Sequence, residues 1–214
     1  MEDLVLTRQF QDWAEEGKFV EFRLYYRGPL PAESGTPRPK YKHEIRRQIH
    51  VQLKELWSQH EELNRALASK PGVDDDLEEH PLKVADYFSR GKHRFLPLVR
   101  KEYGDYCSLD ILFLRRDAPG NMVSSGGDLD NRIKVLLDGL RVPDVTSGMP
   151  DSPGLGEDPM FCLLQDDCLI TSLSITTDRL LLPIAQDEKE HDVVLVIRVV
   201  TQTHGDRSTG TGWY

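Results

Sequence analysis

Near the end of the chain five apolar residues follow one another without interruption: Val193, Val194, Leu195, Val196 and Ile197. A half-exposed edge strand alternates apolar and polar side chains, so a nearly continuous apolar run predicts a central strand of a sheet. Such a strand demands neighbours and a covering layer. Phe19 to Tyr26 alternates and is rich in aromatics, which predicts a first strand. Cys107 to Leu114 alternates around Leu109, Ile111 and Phe113, and Cys168 to Thr176 reads as a further strand. Between them, about Tyr41 to Ala68 carries Ile45, Ile49, Leu53, Leu56 and Leu63 at helical spacing. A second helix begins at Asp128, with Leu129, Ile133, Leu136, Leu137 and Leu140 as its apolar face. This order predicts an α+β domain with helices packed on one side of a mixed β-sheet.

The remaining segments are elaborations on a single domain spanning residues 1–214. Residues 1–16 read as a short amphipathic helical extension built on Leu4, Leu6, Phe10 and Trp13, and Gly17 ends it. Gly28 to Pro31 opens a loop running to Pro39, and Ser69 to Glu79 is a polar, acidic linker. Residues 81–101 hold Val84, Tyr87, Phe88, Phe95, Leu96 and Val99, enough to pack but with no readable period. Residues 117–127 are a Gly/Ser/Pro loop, and the tail from Gly205 frays. The stretch 141–159 is a long Pro- and Gly-rich loop, which in a compact domain is either functional or disordered.

With 38% hydrophobic and 29% charged residues, the composition is that of a soluble globular protein. No apolar run approaches the roughly 20 residues needed to span a bilayer. The acidic start, Met1-Glu2-Asp3-Leu4, lacks the basic and apolar regions of a signal peptide. Cys107, Cys162 and Cys168 form no CxxC pair, so the expected compartment is reducing cytoplasm. A net charge of -9 counts against general affinity for nucleic acid, yet distribution matters more than the sum. Lys40, Lys42, Arg46 and Arg47 lie in a basic stretch of the long helix, a second basic stretch runs from Lys83 to Lys101, and Arg115 and Arg116 end a strand. Lys40, Lys42, Arg46, Arg47, Arg115 and Arg116 are therefore candidate DNA contacts. His43 and His50, seven apart on that helix, read as surface or phosphate-contacting groups, whereas Trp13, Trp57, Phe88 and Phe95 read as core.

Carboxylates supply the chemistry. Gly127-Asp128-Leu129-Asp130-Asn131-Arg132-Ile133-Lys134 opens the second helix, and Gln165-Asp166-Asp167 precedes a strand. Mg²⁺ takes oxygen ligands, commonly one or two carboxylates with water and phosphate. Such an ion can activate water and neutralise a phosphodiester. Asp128, Asp130 and Asp167 are thus candidate ligands, with Asp166 the less favoured member of its pair. Lys134 is placed to meet a phosphate oxygen or orient Asp130, and Asn131 to hold a ligand water. Each feature also has an ordinary role. Asp128 suits a helix cap, Asp166-Asp167 suits a turn, and Asp130 with Lys134 or Lys134 with Asp138 suits a surface ion pair. On spacing alone the two accounts weigh about evenly.

The run from Gly127 to Leu140, followed by Gln165-Asp166-Asp167-Cys168-Leu169-Ile170, resembles the RusA family of Holliday junction resolvases, whose signature is a DLDN-x-x-K helix start with a downstream Asp-Asp before a strand. The similarity covers about Cys107 to Thr177. It implies a small α+β homodimer that uses Mg²⁺, with Mn²⁺ as an alternative, to nick four-way DNA junctions in paired strands. It also implies Asp128, Asp130 and Asp167 as essential aspartates and Lys134 as the active-site lysine. Relative to that family the chain adds the extension at 1–16, an insertion at 69–101 and the loop at 141–159. Two other functions compete. One is a RusA-like protein that binds DNA or a partner without turnover, consistent with the acidity and insertions. The other is a nucleotidyltransferase, since Gly126-Gly127 precedes an Asp-x-Asp, but there the Asp-x-Asp belongs on a strand and here the spacing is helical.

Overall fold

The computed structural model describes residues 19–31, 38–68, 88–116, 128–144, 146, 149–181 and 192–203. The expected helix at 1–16, the linker at 69–79, the loop at 117–127 and the tail from Gly205 lie outside these residues, as do Val84, Tyr87 and the side chain of Asp128.

The chain is α+β. Strand β1 (Phe19–Pro29) leads to helix α1 (Arg38–Gln59), a second helix α2 (Glu61–Ala68), and strands β2 (Phe88–Arg90), β3 (His93–Val99) and β4 (Asp105–Arg115). Helix α3 (Asp128–Leu140), β5 (Met160–Leu164), β6 (Ile170–Arg179) and β7 (Asp192–Thr203) complete it. The larger sheet has the order β1-β7-β4-β6, antiparallel except for the β4/β6 pair. The unbroken apolar run therefore sits in an interior strand, as its composition requires.

One face of this sheet carries the core. Leu24, Ile197 and Ile111 share a row, as do Tyr26, Leu195 and Phe113, and all six are essentially inaccessible. Ile45, Ile49, Leu53 and Trp57 of α1 and Ile133, Leu136 and Leu140 of α3 join the same cluster. Spacing of three and four residues brings those side chains onto one stripe of each helix.

The structure departs from the sequence reading in three places. The helix expected from Tyr41 to Ala68 is two helices, separated at His60, with Asn64 Nδ2 donating to the Ser58 carbonyl at 2.9 Å at the junction. Strand β1 continues through Gly28 and Pro29, which the Gly/Pro content assigned to a loop. A second sheet of order β2-β3-β5 was not expected. In it β3 is parallel to β5, and Phe95, Val142, Met160 and Cys162 form a small core. Every residue of β5 is buried, so Met-Phe-Cys-Leu-Leu offers no alternation to read.

Candidate functional site

Helix α3 begins at Asp128 and carries most of the proposed site residues. Its buried face also includes Arg132 and Val135, so only part of the surface stays open. Asp130, Asn131 and Lys134 lie on that open part, all three exposed. Among the described residues Asp130 and Lys134 make no ion pair with each other. Their side chains remain available at the helix end whose free N–H groups and dipole favour anions.

The opposite end of α3 is closed by cations. Arg46 is 3% exposed and donates to the Asp138 carbonyl at 2.9 Å and the Arg141 carbonyl at 3.2 Å, capping carbonyls that the helix leaves without partners. Lys42 Nζ lies 2.6 Å from Asp138, and Arg141 reaches both Asp138 at 3.3 Å and Asp144 at 2.7 Å. Asp138 thus pairs with Lys42 and Arg141, correcting the expected Lys134 partner. This cluster was missed in the sequence, although the three-residue spacing of Asp138, Arg141 and Asp144 is the signal that would have found it.

The Asp166-Asp167 turn sits at this closed end. Residue Arg141 bridges Leu164 in parallel, and Val142 N donates to the Leu164 carbonyl at 2.9 Å. Gln165 is fixed by Val99 O, by Lys101 N through its Oε1 and by Glu102 through its Nε2. Asp166 accepts from Cys168 N at 2.9 Å, capping a single 3₁₀ turn from Asp167 to Leu169. That backbone hydrogen bond, helped by the Arg141 charge, holds the Asp166 carboxyl below its ordinary range. Asp144 is held low by its hydrogen bond to Arg141, against the nearby negative charge of Asp166. Asp166 therefore neighbours Arg141 and Asp144. From Asp130 to Leu140 the helix rises about 15 Å, at roughly 1.5 Å per residue. Asp130 and the Asp166-Asp167 turn are thus at opposite ends of α3.

The donor chemistry suits Mg²⁺, since all the candidates are carboxylates. Among the described residues, which leave out the Asp128 side chain, no three His, Cys, Asp or Glu side chains come close enough to hold a metal ion. Within one copy the fold does not bring Asp130 and the Asp166-Asp167 turn together.

The candidate DNA contacts divide by burial. Lys40 is exposed and Arg116 half-buried. Arg47 is 54% exposed but paired with Glu157 at 2.7 Å. Lys42 is committed to Asp138, and Arg46 and Arg115 are buried at 3% exposure, which places both inside the fold rather than on a phosphate-accessible surface. His43 and His50 are likewise buried, not surface groups as expected. His50 Nδ1 accepts from Phe161 N at 2.9 Å, which leaves Nε2 to donate to the Gly156 carbonyl at 3.0 Å. Phe95 and Trp57 are core, as read, and Phe88 packs partly buried against it. Among the described residues no helix is long and apolar enough to cross a membrane.

Comparisons with protein-family models, with curated proteins and with solved structures find no match to this chain.

Proposed function

We propose that the chain is a Mg²⁺-dependent endonuclease of the cytoplasm that hydrolyses phosphodiester bonds in branched DNA, resolving four-way junctions by paired nicks as a homodimer. Mn²⁺ is the alternative ion. The supporting observation is the open face of α3, where Asp130, Asn131 and Lys134 stand exposed at the helix start. That face combines metal-ligating oxygen with a cation for phosphate, within the motif shared with RusA-like resolvases. Because Asp166 and Asp167 lie at the other end of α3, completing the carboxylate set requires a second copy. Dimerisation then serves both site assembly and the symmetric cutting of two strands.

The test is cleavage of synthetic four-way junction, flap, duplex and single-stranded DNA, with and without Mg²⁺. Wild type is expected to cut the junction only with metal, and Asp130→Asn to lose at least about a hundredfold in rate, a typical scale for removing a group that stabilises charge in the transition state, while keeping junction binding. Full activity in Asp130→Asn at limiting metal would sink the proposal. A second function is favoured by the split of the acidic residues within one chain: a RusA-like DNA- or partner-binding protein without turnover. Junction binding without cutting across Mg²⁺ and Mn²⁺ titrations would select it. Transfer of a labelled nucleotide would instead revive a nucleotidyltransferase, although the Asp-x-Asp here opens a helix.

A further inference from the structure

The larger sheet has two outer edges, and the protein treats them differently. At the β1 edge two glutamines of α1 occupy the strand's outward backbone groups. Gln52 accepts from Tyr25 N at 2.8 Å and donates to Tyr25 O at 2.7 Å, and Gln48 does the same at Arg27 at 3.3 and 3.1 Å. At the β6 edge no described side chain does this between Ser172 and Thr176. From Thr171 to Ser174 residues of both faces of β6 are exposed.

Natural edge strands are normally guarded by lysines, prolines, bulges or a covering segment, because their free N–H and C=O groups template pairing with another chain. The run Ile170-Thr171-Ser172-Leu173-Ser174-Ile175-Thr176-Thr177 contains no charge and no proline. Leu173 is the telling residue. Its register with Leu109 and Val199, both buried, places it on the core side of the sheet. It is nevertheless 41% exposed, because β6 has no outer neighbour among the described residues.

We infer that β6 pairs antiparallel with β6 of a second copy, about a two-fold axis at Leu173, so that the two larger sheets become continuous. The charges flanking the strand argue for a copy of this chain rather than an unrelated strand. With Leu173 opposite itself, Thr171 faces Ile175, and Arg179 of each copy comes to the Asp166-Asp167 turn of the other. This reciprocity is what an isologous interface needs. This pairing gives the homodimer proposed above its surface and rests on that reading for the second copy, whereas its test is independent of DNA cleavage. Arg179 pairs with Arg115, where β4 ends and the chain leaves towards α3, so the pairing carries the partner's Asp166-Asp167 turn to the sheet end away from its own.

The test is sedimentation velocity on the full chain, supported by cysteine cross-linking. Wild type is expected to be dimeric. Leu173→Lys sets two like charges on the axis and removes the cover of two leucines, so dimerisation should weaken by about a hundredfold or more with an unchanged circular dichroism spectrum. In a Cys168→Ser background, Leu173→Cys should form an intermolecular disulfide on mild oxidation, because directly opposed strand residues meet the distance a disulfide needs, and Leu112→Cys should not. A monomeric wild type, or a dimer that survives Leu173→Lys, would overturn the inference. If Leu173→Lys fails to fold, absence of the Leu173→Cys cross-link does the same, and open-ended assembly of wild type would show a general sticky edge instead of a two-fold pair. A Leu173-dependent dimer that cuts no DNA would refute the nuclease proposal and leave this interface standing.

Discussion

Gly139 of α3 sits directly against Ile45 of α1. A Cβ built there would lie 2.7 Å from Ile45 Cγ2 and 2.8 Å from Ile45 Cβ, a contact no rotamer change of Ile45 relieves, since its Cβ is fixed by the backbone. The gain in helix propensity from alanine, about 1 kcal/mol, is smaller than the overpacking cost, typically 1–3 kcal/mol. Gly139→Ala should therefore lower stability by about 1 kcal/mol, read as a reduced urea midpoint. An equal or higher midpoint would show that the helices separate easily. The same crossing explains the burial of Arg46. Only a guanidinium reaching from α1 can donate to both the Asp138 and Arg141 carbonyls, which were not visible in a sequence where Arg46 lies more than 90 residues away.

Among the elements, the loop following α3 shows how an apparently unstructured segment becomes fixed. Its part 149–159 is held from α1 by Arg47 to Glu157, by His50 and Lys54 to the Gly156 carbonyl, and from β3 by His93 to the Pro150 carbonyl and Arg94 to Asp158. Burial alone would raise the Glu157 carboxyl, but hydrogen bonds from Gly154 N and Arg47 outweigh it and keep the group ionised. Burial also lowers His50 and His43 below their ordinary value of 6.5. The sign follows from proton binding. The unfolded chain takes up protons at these histidines first as pH falls, so their stabilising contribution is intact above pH 6.5 and declines below it. Stability to urea should accordingly drop on acidification below that point, with faster proteolytic nicking in 150–156. His50→Gln should flatten part of the slope. A profile in that variant identical to wild type would remove His50 from the clamp. Sequence composition described this stretch as functional or disordered because its partners are contributed by residues 57 to 110 positions earlier.

At the scale of the molecule, the acidic residues of the motif lie at both ends of one helix. If a second copy completes an Mg²⁺ site, metal binding to the native dimer adds stability by mass action. The melting temperature of wild type should then rise with Mg²⁺ concentration, that of Asp130→Asn should rise much less, and Leu173→Lys should lose the effect together with the dimer. Equal Mg²⁺ shifts in all three would reduce the effect to general ionic screening.

Local periodicity was enough for the α+β class, the interior position of Val193 to Ile197, the apolar stripes of both long helices and the helical start of the motif at Asp128, because each depends on residues within one or two turns. It could not supply the second sheet, whose β5 is uniformly buried, nor the interruption at His60. Nor could it foresee that Arg46, His43 and His50 are buried, that Lys42 pairs with Asp138, or that Asp166 lies beside Arg141. Those outcomes depend on which distant backbone carbonyls and charges fold alongside each residue. Chain order carries no distance information of that kind, and only packing in three dimensions decides it.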